Sequence, residues 1–91
     1  MEIKTFWQFN IALDHGPYAW PGGYPMYFVC GDGGALSFDA AKENANQIRD
    51  ALITNDRHSD WFVVGFEVNW EDTDLICSHT NTPIQSAHGN D

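Results

Sequence analysis

Between Trp61 and Cys77 the chain passes from its most apolar run to its most acidic one. Residues 61–66 are Trp, Phe, Val, Val, Gly and Phe, β-branched and aromatic types whose run length suits a buried strand. Glu67, Glu71, Asp72 and Asp74 follow, four carboxylates within eight residues, with Trp70 among them. A strand of the core is therefore expected to lead directly into an acidic loop that carries an aromatic side chain. In this strand Phe62, Val64, Phe66 and Val68 are expected on one face, and Trp61, Val63 and Glu67 on the other.

Ninety-one residues allow one domain, 1–91, with one modest core. Residues 6–13, FWQFNIAL, alternate apolar and polar side chains and read as a half-buried strand. Residues 14–25 hold three Pro and three Gly, which exclude a helix or a central strand and predict an ordered loop. Its aromatics, Tyr18, Trp20 and Tyr24, have two readings: a lid over a small core, or an exposed contact patch. Residues 26–30 read as a second strand, ended by a plain turn at Gly31–Gly34. That turn has neither the Lys nor the spacing of a phosphate cradle, and Asp32 would repel phosphate.

Over residues 38–53, Phe38, Ala41, Ala45, Ile48 and Leu52 recur at spacings of 3, 4, 3 and 4, the stripe of one amphipathic helix. Ser37 is placed to cap it. Leu75–Cys77 reads as a short strand, Asn81–Pro83 as a turn, and Ile84–Ala87 as a segment positioned to pair back. His88–Asp91 reads as a loose tail. The expected fold is α+β, a small antiparallel sheet of about four or five strands with one helix packed on it.

Charge narrows the function. The net charge is −9, and residues 58–91 carry six acids and no Lys or Arg. Direct nucleic-acid binding is disfavoured, because phosphate contacts need a basic surface. No run reaches the ~18 apolar residues of a membrane span, and the first ten residues do not form a secretory signal, so a cytoplasmic location is expected. One disulfide is open to Cys30 and Cys77, but two buried free thiols are expected in a reducing compartment.

Candidate chemistry is sparse. Cys77, His79 and His88 lack the regular spacing of a zinc site, so neither metal nor cofactor is expected. Cys77-x-His79 and Asp14-His15 are too meagre for a nucleophile with its base and orienting acid, so no enzyme activity is expected. The carboxylates read as a solvated acidic loop or as a row that imitates phosphates in a basic groove. In the second reading Glu67, Glu71, Asp72 and Asp74 meet basic residues of a partner protein. Trp70, Tyr18 and Trp20 supply the apolar anchors.

The segments YAWPGGYPMYFVCGDGGAL (18–36) and DWFVVGFEVNWEDTDLICSH (60–79) resemble a family of small uncharacterised proteins from phages and mobile elements. The similarity covers the chain from about residue 18 to residue 87. Members of that family carry one CxxC after each segment, two pairs that look like zinc knuckles. Here the first pair falls on Ser37 and Ala40 and the second on Cys77 and Thr80, so one of four ligands is kept. The resemblance implies a phage context in the bacterial host cytoplasm. By analogy it suggests an anti-CRISPR-like inhibitor of a host defence or nucleic-acid-handling complex. The alternative is a degenerate zinc-knuckle domain with a structural or assembly role, possible as a homodimer through the aromatic loop.

Overall fold

The computed structural model describes residues 1–87, so the tail reading for His88–Asp91 lies outside the described residues. The elements run α1 (Phe6–His15), β1 (Tyr18–Ala19), β2 (Tyr24–Cys30), β3 (Ala35–Ser37), α2 (Phe38–Glu43), α3 (Ala45–Thr54) and β4 (Val63–Val68). The fold is α+β, with a four-stranded antiparallel sheet as expected.

β2 is the central strand. Its residues 27–29 pair with β3 (Phe28 opposite Leu36) and also with β4 (Phe28 opposite Phe66), so these two strands lie on opposite edges of it. β1 pairs with its first two residues. The chain start lies along β4, through Ile3 N to Val64 O and Phe66 N to Met1 O, both 2.9 Å. Past β3, Ser78 N donates to Ala35 O at 2.8 Å. The pairing expected between residues 75–77 and 84–87 is reduced to a single bridge, Ile76 with Pro83.

Several sequence expectations are corrected, and the loop expected over 14–25 holds the end of α1, all of β1 and the first two residues of the central strand β2. Residues 6–13 are helical. The helix places Phe9 and Ala12 in the core and turns Trp7 and Ile11 to solvent. The helix expected over 38–53 is divided at Asn44 (φ −114°, ψ 29°). Asn44 Nδ2 donates to Ala40 O at 2.9 Å, and the Asn44 N–H goes to the same carbonyl at 3.1 Å. A short amide side chain thus competes for a helix carbonyl. Ser37 caps α2 as expected, its hydroxyl accepting from Ala40 N at 3.1 Å.

The β4 alternation also fails at one point. Cys30 pairs with Val63 but Val29 with Gly65, so Val64 is an extra, bulged residue. The bulge resets the parity, and Val63 joins Phe66 in the core instead of facing away from it. The core centres on Phe28. The rings of Phe66 (4.7 Å), Phe9 (5.4 Å) and Phe38 (6.1 Å) surround it, one each from β4, α1 and α2. Each such buried ring contributes about 1.5–3 kcal/mol through burial alone. Among the described residues no helix is long and apolar enough to cross a membrane.

Candidate functional site

β4 ends at Val68, and the next residue fixes the acidic loop. Asn69 is 3% exposed. Its N–H donates to Pro25 O at 2.9 Å, which ties the loop to β2. Its Nδ2 donates to the carbonyls of Asp72 (3.0 Å) and Gln85 (3.2 Å) and lies 3.5 Å from that of Ile84. Its Oδ1 accepts from Asp72 N at 3.1 Å, and Ala87 N donates to its carbonyl at 2.8 Å. Asp72 Oδ1 in turn accepts from Asp74 N at 3.0 Å. One buried amide therefore closes the loop on itself and pins it to residues 84–87.

The loop reaches the aromatic turn. Trp70, 48% exposed, packs its ring on Tyr24 at 4.7 Å. A Cβ built on Gly22 would stand 2.6 Å from the Tyr24 ring, and one on Gly23 would stand 3.1 Å from the Trp20 ring. Both glycines have positive φ, so the turn needs them for conformation and for clearance. Trp20 is 75% exposed and Tyr18 is 37% exposed. Trp20 is thus an outward-facing ring, not a lid over the core. The Tyr18 hydroxyl donates to Gln85 Oε1 at 3.3 Å, a third tie between turn and loop.

Glu67, Glu71, Asp72 and Asp74 are all exposed. Among the described residues the one ion pair is Lys4–Glu2, at 3.3 Å, so these four carboxylates have no intrachain cation there. Burial raises the Tyr27 phenol, and the charges of Glu67 and Asp72 raise it further. The strand carboxylate and the loop carboxylate therefore both act on Tyr27 of β2. All seven sequence-predicted contact residues gather at the end of the sheet where β2 begins and β4 ends. Asn69 and Gln85, which carry no signal in the sequence, and Tyr24, already one of the turn's aromatics, hold them there.

The knuckle positions also converge. Ser37 N donates to Cys77 Sγ at 3.4 Å, and Ala40 N to Ser37 Oγ. Burial pushes the Cys77 thiol up. Hydrogen bonds from the Ser37 N–H, from the hydroxyl and N–H of Thr80 and from the His79 N–H outweigh that and bring it down to about 7. The residues present do not fit zinc. Ser37, Ala40 and Thr80 offer no thiolate or imidazole beside Cys77, and no group of three His, Cys, Asp or Glu is arranged for a metal among the described residues. The His79 ring is packed on Trp61 at 4.8 Å, and the His15 ring stands edge-on to Phe66 at 5.9 Å. Each imidazole is thus held in an aromatic contact. Cys30 and Cys77 are both buried free thiols.

No family model, curated protein or solved structure matches the chain.

Proposed function

We propose that the protein works by binding a partner protein through this acidic, aromatic end. The observation that carries the reading is the convergence of the outward-facing Trp20, the strand carboxylate Glu67 and the three carboxylates of a loop fixed by Asn69. A fixed carboxylate row beside exposed aromatic rings suits a basic groove. The charges steer the encounter and the rings supply the desolvated anchors. The phage-family resemblance directs the choice of partner toward a host defence or nucleic-acid-handling complex, which the protein inhibits by occupying the nucleic-acid groove. The test is competition: titrating the protein should displace a labelled oligonucleotide from the partner. Displacement that is lost on Glu67→Lys with Glu71→Lys supports mimicry. A partner that binds both together contradicts it.

A second reading, a structural or assembly domain derived from a zinc knuckle, is favoured by the convergence of Ser37, Ala40, Cys77 and Thr80. It predicts self-association through the Trp20 turn, which Trp20→Ala would abolish.

A further inference from the structure

The helical layer carries a second surface, distant in sequence from the acidic loop and built differently. On α1, Trp7 and Ile11 lie one turn apart and are 67% and 59% exposed. On α3, Ile53 lies one turn beyond Arg49 and is 64% exposed. Between the helices runs an open groove lined by Trp7, Asn10, Asp14, Lys42, Glu43 and Arg49, among others. Phe9 and Ala12 pack α1 on the core and Trp7 stacks on the Phe6 ring at 5.0 Å, yet most of the Trp7 and Ile11 side chains stays in solvent. Exposed apolar side chains gathered in this way mark contact surfaces.

The charges around the groove indicate what covers it. The chain carries four Lys and Arg against thirteen acids, and two of those four bases, Lys42 and Arg49, line this groove. They share it with Asp14 and Glu43, so the surface is locally neutral on a strongly acidic molecule. Among the described residues none of these four charges is in an intrachain ion pair. Arg49 is instead held in place by uncharged groups: its Nε donates to Asn10 Oδ1 at 2.7 Å, and its guanidinium lies 5.8 Å from the centre of the Phe9 ring. A basic partner would meet Lys42 and Arg49, and an acidic one would meet Asp14 and Glu43. A second copy of the chain offers the same balanced set of both signs and the same exposed apolar side chains, which one isologous contact can join. It also brings two chains of charge −9 together where their mutual repulsion is least.

We propose that the outer face of α1 and α3 is the contact between two copies of this chain. The contact uses none of the residues assigned to the acidic end, so the inference stands whether or not the binding role proposed for that end is right. The face is modest. Two adjacent ten-residue helices are about 15 Å long and about 20 Å across together, a footprint on the order of 300 Å² per copy. That places the dimer in the weak class, well below the roughly 800 Å² per partner of a standard interface.

The experiment is sedimentation equilibrium of the full chain from about 10 μM to about 1 mM, a range that brackets weak association. The wild type should pass from monomer to dimer across it. Trp7→Glu with Ile11→Glu should stay monomeric with an unchanged circular dichroism spectrum, because both side chains already face solvent. Lys42→Glu makes the face acidic, and Asp14→Lys with Glu43→Lys makes it basic. Each variant alone should lose at least tenfold in association, and an equimolar mixture of the two should recover it. A wild type that remains monomeric at the highest concentration overturns the proposal. So does a dimer that ignores these variants, or one that disappears on Trp20→Ala, which would place the contact on the aromatic turn.

Discussion

At the scale of single residues, Asn69 carries the most. Asn69→Ala strands the Asp72 N–H and the carbonyls of Asp72 and Gln85, which the side chain now serves. Loss of a buried group with several partners costs about 3 kcal/mol. In a domain of this size that lowers the melting temperature by more than about 10 °C. Asn69→Asp should be at least as damaging, since a carboxylate would face carbonyl oxygens; an aspartate variant as stable as wild type would remove Asn69 from this role. The two thiols make a pH prediction of opposite signs. The folded Cys77 value, about 7, lies below the ordinary 9.0, so its contribution is present above pH 9 and is lost as pH falls through 7. Cys30 is pushed up to about 12, by burial first and then by Asp32, Cys77 and Asp60, so folding retains a proton that the unfolded chain releases above pH 9. Urea midpoints should rise from pH 7 to 9 and decline beyond, and Cys77→Ala should remove the rise. The carboxylates, Trp70 and the exposed aromatics of the site were legible as residue types in sequence. Asn69 was not, because an asparagine that brackets a loop looks the same in sequence as one that merely ends a strand.

At the scale of elements, the helix stripe of residues 38–53 was legible because its apolar spacing fits one period, and the central strand and β4 because each is a short run of apolar, strand-forming residues. The first helix was not. FWQFNIAL satisfies both periods, since Trp7, Phe9, Ile11 and Leu13 alternate while Phe6, Phe9 and Leu13 recur at helical spacing. The deciding signal is just upstream: Thr5-x-x-Gln8 is a capping-box pattern, and Gln8 Oε1 accepts from Thr5 N at 2.9 Å. Gln8→Ala should therefore cost about 1 kcal/mol, and Gln8→Glu should restore it. Equal urea midpoints for the wild type and the alanine variant would argue against a capped helix there. The bulge at Val64 was equally hidden, because register is set by pairing with β2 and not by the strand's own sequence.

At the scale of the whole molecule, the chain presents two surfaces of different character. At the end where β4 finishes, four exposed carboxylates and the aromatic turn share a rigid frame; on the helical layer lies a groove of balanced charge with exposed apolar side chains on its helices. The binding account places its weight on the first. The most direct test is capture of the tagged protein's partner from lysate of a bacterium with active defence systems, washed at low and at high salt. Glu67→Lys with Glu71→Lys is the control, because Asp72 also supports the loop backbone and its reversal would confuse charge with structure. The account predicts one host complex retained at low salt, released at high salt and missed by the charge-reversed variant. A complex held equally at both salts, or captured equally by the variant, would contradict it.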